Sequence, residues 1–260
     1  MKKGYLPRTS LNRREFVKSL GAASALCSSA ALAASDAIPP IAAGNSPQPD
    51  LGKDAKVKQW DVITIGNLAR NRYWGETGTK PFRSTLCTCT LIQGEGFRLL
   101  VDPSLAKAEQ MAAEVDRRTG LKMADINSVF VTHHHDDHWF GLVHFPAARW
   151  FAAPEVADAI NRTKRLPKPV EPAGGPVFAA ISLVPTPGHT PSHHSLRFTC
   201  DGKAVVIAGD AVMTRNHWRE RQGHHNSADL AQAVRSIEQL SELADIVVPG
   251  HDNYFLNLNS

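Results

Sequence analysis

Short apolar runs separated by turn residues occupy most of the chain after residue 57, a pattern typical of β-strands. The first three runs, at residues 62–65, 85–92 and 97–101, predict three strands, and Gly94-Glu95-Gly96 predicts a hairpin turn between the last two. Apolar residues at helical spacing over 105–118 then predict a helix that lies on a sheet and ends at Gly120.

In the second half of the chain, polar residues follow the ends of several predicted strands. Strands are predicted at 126–132, 149–153, 181–184, 195–199, 204–208 and 246–248, with helices at 155–165, opened by Pro154, and at 227–243, capped by Ser227. His189, Asp210 and His251 each come shortly after one of these strands. Enzymes built on sheets place their sites where strand ends gather at one edge, so these residues are candidate site residues.

The densest group of polar residues is His133-His134-His135-Asp136-Asp137-His138, directly after the predicted strand 126–132. Imidazole nitrogen and carboxylate oxygen are the ligands that Zn²⁺, Fe²⁺ and Mn²⁺ accept. His133 and His135 share one side of an extended chain, while Asp137 and His138 fall in the turn that follows, so two adjacent sets of ligands can form. The alternative is a histidine-rich surface loop that binds metal loosely without chemistry.

The spacing His133-x-His135-x-Asp137-His138, followed in order by His189, Asp210 and His251, resembles the ligand series of the metallo-β-lactamase-fold hydrolases. The resemblance runs from about residue 57 to the C-terminus, and we expect residues 57–260 to form the catalytic domain. It implies an α/β fold in the form of a four-layer αβ/βα sandwich, with the metals in the cleft between its two halves.

The same resemblance implies a role for each ligand. His133, His135 and His189 would hold one metal, Asp137, His138 and His251 would hold the other, and Asp210 would bridge them. The expected cofactors are two Zn²⁺ ions, with iron or manganese as alternatives. Asp137 and Asp210 are also the predicted catalytic residues, because a water shared by two metals becomes a nucleophile near neutral pH. The implied activity is hydrolysis of an ester, lactone, thioester or related bond in a small-molecule substrate by a metal-bridging hydroxide.

Differences within the family leave the substrate open. True β-lactamases usually replace the His138-type ligand or the bridging Asp, and this chain keeps both. Lactonases carry a Tyr shortly after the bridging Asp, where this chain has Ala211-Val212-Met213. A second hypothesis is a mononuclear-iron oxidoreductase resembling persulfide dioxygenases, which use only the His133, His135 and Asp210 positions as ligands. A third is a metal-binding protein without turnover.

The remaining histidines and the cysteines have less specific predictions. Alternation turns His134 away from the ligand face, and His193 is expected to support the ligands rather than to bind metal. We expect Asp136 to be an acid at a helix N-terminus. Cys87 and Cys89 are expected to be small core residues. The pattern leaves the roles of four other histidines open, namely His144, His217, His224 and His225.

The N-terminus has the pattern of an export signal. Residues 1–33 combine a basic start, an Ala-, Ser- and Leu-rich stretch and the cleavage motif Ala31-Leu32-Ala33, and Arg13-Arg14 fits a twin-arginine signal that engages the twin-arginine export machinery. An amphipathic N-terminal helix is the alternative. A Pro-rich linker is predicted at 34–56. We therefore expect a periplasmic or secreted protein without a membrane anchor.

The distribution of charge along the chain does not indicate a nucleic-acid partner. The formal net charge is +4, but residues 1–33 contain six Lys and Arg against one acid, which leaves 23 basic and 24 acidic residues in the remainder. A nearly neutral remainder lacks the excess of positive charge that nucleic-acid binding requires.

Overall fold

A computed structural model describes residues 56–173 and 180–258. The predicted signal peptide, 1–33, and linker residues 34–55 lie outside these ranges, so both stay predictions. None of the helices in the described ranges has both the length and the apolar character needed to cross a membrane.

The described residues form eleven strands and five α-helices. The strands are β1 Val57–Thr64, β2 Cys89–Gly94, β3 Phe97–Val101, β4 Ser128–Val131, β5 Arg149–Ala152, β6 Glu171–Pro172, β7 Ile181–Pro185, β8 His194–Cys200, β9 Lys203–Gly209, β10 Ile246–Pro249 and β11 Phe255–Leu256. The helices are α1 Ala108–Thr119, α2 Asp136–Trp139, α3 Pro154–Arg162, α4 Arg215–Arg219 and α5 Leu230–Leu243.

The strands form two sheets. Six strands form the first, in the order β1-β2-β3-β4-β5-β6, antiparallel as far as β3 and parallel from β3 to β6. Five form the second, in the order β11-β10-β9-β8-β7, with β9 and β10 parallel and the other pairs antiparallel. The predicted hairpin is confirmed, because Gly94 pairs with Phe97 and Gly96 takes the left-handed conformation with φ 78°.

Alternation along the strands divides the apolar residues among three cores. Leu99 and Val101 of β3 point into the core between the two sheets, where they pack with Ile207 of β9. Leu100 points to the opposite face and packs in a core with residues of α1 and α3, and Val206 packs in a third core with residues of α5. The layers are therefore helices, sheet, sheet and helices, which confirms the predicted sandwich.

Most predicted elements are present with shifted ends. Helix α1 ends at Gly120 as predicted, with φ 72°, and Pro154 is the first residue of α3. The helix predicted over 227–243 begins instead at Leu230, and its cap is Asp229 rather than Ser227. The Asp229 carboxylate accepts a hydrogen bond from the Gln232 N–H, which satisfies one of the free amides of the first turn.

Candidate metal centre

The segments that follow β4, β7, β9 and β10, including helix α2 after β4, bring seven His and Asp side chains together in two groups. In each group the ligand atoms all lie within 4.8 Å of one another. The first group is His133, His135, His189 and Asp210, and the second is Asp137, His138 and His251. All seven residues predicted as ligands are in these groups, with Asp210 in the first, and the metals that they would hold stay a prediction.

Three imidazole nitrogens of the first group converge. His135 Nδ1 lies 3.0 Å from His133 Nε2 and 2.9 Å from His189 Nε2. A neutral His135 has at most one proton on Nδ1, which cannot satisfy both neighbouring nitrogens at once. A cation at their centre would satisfy all three lone pairs, so this donor set fits a metal ion.

The carboxylate of Asp210 faces both groups. Its Oδ2 lies 3.2 Å from His189 Nε2 and 3.7 Å from His133 Nε2. Its Oδ1 lies 3.3 Å from both His138 Nε2 and His251 Nε2. Oδ1 and His138 Nε2 are buried, and within the described ranges neither has a hydrogen-bond partner by ordinary geometry. Because buried polar atoms are nearly always satisfied, these two atoms fit a site completed by cations.

Hydrogen bonds behind the site determine which nitrogen of each histidine is free to bind. The Asp102 carboxylate accepts from Thr132 N–H at 2.9 Å and from Thr132 Oγ1 at 2.8 Å. It also lies 2.9 Å from His138 Nδ1. A carboxylate can only accept, so His138 carries a proton on Nδ1, and Nε2 is the nitrogen available to a metal ion.

The same reasoning applies to two more ligands. Thr132 Oγ1 donates its one proton to Asp102, so at 3.1 Å it accepts from His133 Nδ1. His251 Nδ1 donates to the carbonyl of Leu86 at 2.9 Å. Nδ1 carries a proton in both histidines, so Nε2 is the nitrogen available to a metal ion.

His193 holds the backbone of Asp210. Its Nε2 accepts from the Asp210 N–H at 3.1 Å, and its Nδ1 donates to Thr186 Oγ1 at 2.9 Å. Two glycines leave room for the His193 ring and for the Asp210 carboxylate. A Cβ at Gly209, whose φ is 50°, would lie 2.9 Å from His193 Nε2, and one at Gly250 would lie 2.0 Å from Asp210 Oδ1. This position of His193 agrees with the supporting role predicted from sequence.

Burial and charge set the protonation of the metal-free site. Burial lowers the pKa of His133 well below its usual value, and burial followed by repulsion from His189 lowers the pKa of His135 to about 4. Burial also opposes the charged form of His251, but Asp210 outweighs it and raises the pKa of His251. Burial likewise opposes ionisation of Asp210, yet His251 and His138 lower its pKa well below the usual range. Asp210 is thus an anion. Without metal, protons on the neighbouring histidines balance its negative charge, and bound metal cations would balance it instead.

The model of the metallo-beta-lactamase superfamily matches residues 84–251, more than half of the chain. The chain belongs to this superfamily.

Two curated relatives have names that describe hydrolases. The chain is 34% identical over 171 residues to a hydroxyacylglutathione hydrolase of Acidiphilium cryptum, an alignment that covers 62% of this chain and 63% of that protein. It is 29% identical over 181 residues to an atrochrysone carboxyl ACP thioesterase of Aspergillus fumigatus, covering 66% of this chain and 52% of the relative. The chain thus spans less than two thirds of the length of either protein.

Among solved structures, the chain superposes on an N-acyl homoserine lactone hydrolase that has the product N-hexanoyl-L-homoserine bound at its catalytic metal centre. The TM-score is 0.62 at 21% sequence identity, over 76% of this chain and 94% of that chain. At this identity the likeness shows the metallo-beta-lactamase fold alone.

A cavity of about 510 Å³ opens onto the metal centre. His135, Asp137, Asp210 and His251 line it, together with residues of the β1–β2 loop and of the loop after α4. Side-loop residues on the cavity are Leu68, Ala69, Arg70, Thr85, His224, His225 and Asn226. A small molecule can therefore approach the two ligand groups from solvent.

Among the described residues, the other residues singled out from the sequence belong to neither ligand group. The His134 ring lies against His135 with centroids 5.2 Å apart, and Asp136 begins α2 and pairs with Arg165 at 2.9 Å.

His217 is buried with its Nδ1 2.8 Å from Thr214 Oγ1, and burial first, then nearby charges, lowers its pKa to about 3. His144 Nε2 lies 3.1 Å from the carbonyl of Leu105. Cys87 and Cys89 are free, buried thiols, as predicted.

Asp102 is the functional residue that the sequence pattern did not single out. It follows β3 directly, in the left-handed conformation with φ 52°, and is buried. Its position just after an apolar strand is the same signal that pointed to Asp210 and His251. Applied to the first sheet as well, that signal could have found it.

Proposed function

We propose that this chain is a dinuclear metal-dependent hydrolase that cleaves an ester, lactone, thioester or related bond in a small molecule. The hydrolase relatives in the superfamily and the two adjoining ligand groups support this proposal. The observation that carries it is the Asp210 carboxylate, which presents Oδ2 to one group and Oδ1 to the other. An anionic side chain in that position suits two cations held close together.

The proposed ligands are His133, His135 and His189 for one ion, Asp137, His138 and His251 for the other, and Asp210 for both. Nitrogen and carboxylate donors of this kind suit zinc, with iron or manganese as alternatives. When bound, such ions would supply a water of lowered pKa and polarise the substrate carbonyl. Asp102 and Thr132 hold the imidazoles of His138 and His133 in the tautomers that present Nε2.

Metal content and activity together test the proposal. Protein purified without added metal is expected to contain two ions per chain by mass spectrometry and to hydrolyse at least one member of a panel of esters, lactones and thioesters. One iron per chain with oxygen consumption would instead identify the oxidoreductase alternative. Two ions without turnover on the whole panel would identify a metal-binding protein.

We also propose that the protein is exported by the twin-arginine route and that the mature chain begins near Ala34. The support is the sequence Arg13-Arg14 and the cleavage motif Ala31-Leu32-Ala33. N-terminal sequencing of protein from the periplasmic fraction of the bacterial host should find a start near Ala34. An Arg13→Lys, Arg14→Lys double variant should accumulate uncleaved in the cytoplasm. Equal export of both forms would contradict the proposal.

A further inference from the structure

A small side chamber adjoins the metal-centre cavity. Its volume is about 60 Å³, and its walls are Leu68, Arg70, Arg72, His217, His224 and His225. Four of these, Leu68, Arg70, His224 and His225, also line the main cavity. A substrate bound over the metal centre can therefore extend one end into the chamber.

The charge of the chamber is positive and unbalanced. Arg70 is partly buried, and its Nη1 is enclosed without a hydrogen-bond partner among the described residues. The guanidinium of Arg72 donates to the neutral groups Gln222 Oε1 and Tyr73 OH, the latter at 2.7 Å, and lies over the Tyr73 ring. Among the described residues, neither arginine has an ion pair with a carboxylate.

The acids that line the main cavity are already engaged. Asp136 pairs with Arg165, and Asp137 and Asp210 belong to the ligand groups. Burying part of a guanidinium without a counter-charge is unfavourable, and an anion that binds there would remove that penalty. Arginine donates two parallel hydrogen bonds to a carboxylate, which makes it well suited to this ligand.

We propose that the side chamber binds a carboxylate at the far end of the substrate, so that the preferred substrates are esters or thioesters of anionic acids. This inference rests on the proposed hydrolase function. Arg70 provides the main contact, Arg72 adds charge at the chamber wall, and the imidazoles of His217 and His224 line the same chamber. The bond to be cleaved lies over the metal centre while the carboxylate occupies the chamber.

Matched pairs of esters test the inference on the metal-loaded enzyme. Each pair consists of the para-nitrophenyl monoester of a dicarboxylic acid, from glutarate to suberate, and the ester of the monoacid with a methyl group in place of the carboxylate. For the preferred length, Arg70→Gln should lower kcat/KM for the anionic ester about 10- to 100-fold, since a charge-assisted hydrogen bond is lost. The neutral ester should change less than about threefold.

Lys80→Gln is the matched control. It removes one positive charge from the same loop between β1 and β2, at an exposed residue outside both cavities. It should leave the ratio of the two kcat/KM values near that of the unaltered enzyme. Circular dichroism and metal analysis establish that each variant is folded and loaded. Equal losses on both esters in Arg70→Gln, or no loss on either, would overturn the inference.

A binding measurement separates this inference from the hydrolase proposal. If the unaltered enzyme cleaves no ester, the proposed function fails, while calorimetry with the free dicarboxylates still tests the chamber. The dissociation constant should rise at least about tenfold in Arg70→Gln and stay constant in Lys80→Gln. Equal affinity of the unaltered enzyme and Arg70→Gln would overturn the inference whatever the activity.

Discussion

Asp210→Ala is expected to lower kcat/KM by about three orders of magnitude or more and to reduce metal content at both sites. The two oxygens of this carboxylate lie 3.2–3.7 Å from histidine nitrogens of both ligand groups, so the substitution removes a donor from each. It also removes the negative charge that would balance two nearby cations. Metal counting by mass spectrometry beside an ester assay measures both effects.

Two further variants make the Asp210 result specific. Asp210→Asn keeps an oxygen donor and loses the charge, so it should retain more metal than Asp210→Ala and still turn over slowly. Asp136→Ala removes a neighbouring carboxylate that pairs with Arg165 on the surface, and it should keep both ions. If Asp210→Ala kept two metals per chain and near-normal turnover, Asp210 would have only a structural role and the dinuclear proposal would fail.

His135→Ala is expected to lose metal and activity together. Its Nδ1 lies within 3.0 Å of His133 Nε2 and 2.9 Å of His189 Nε2, so the substitution removes the nitrogen that both neighbours face. A cation held by the remaining donors would have an open, poorly satisfied coordination sphere. Titration with a chromogenic chelator measures the loss of metal, and an assay with the preferred ester measures the loss of activity.

His134→Ala is the matched control, because it removes an adjacent imidazole that belongs to neither ligand group. We expect it to retain two metals and most of the activity. Its main contact with the site is the ring packing against His135, so a modest change in stability is the expected cost. If the two variants lost metal equally, the alternation argument that separates His134 from the ligands would be wrong.

Most strands and helices could be predicted from the sequence, because apolar residues recur at different spacings in strands and in helices. In addition, each face of a strand packs in a single core. Leu99, Leu100 and Val101 show this directly, since successive side chains enter different cores. Periodicity does not specify where an element ends. Both Ser227 and Asp229 can cap a helix, and the choice of Asp229 depends on which side chain reaches the amide of Gln232. The signal peptide and the bound metals stay predictions.

The sequence by itself determined the seven candidate ligands, because few residue types bind divalent metals and because the order of these resembles the ligand series of the metallo-β-lactamase-fold hydrolases. Only the tertiary structure decided how they are supported. Asp102 reaches His138 from 36 residues away, and Asp210 faces both ligand groups, because packing of the two sheets brings distant strand ends together. Arg70 and His217 meet in one chamber for the same reason. Contacts between residues far apart in the chain depend on how the strands pack, which local periodicity does not specify.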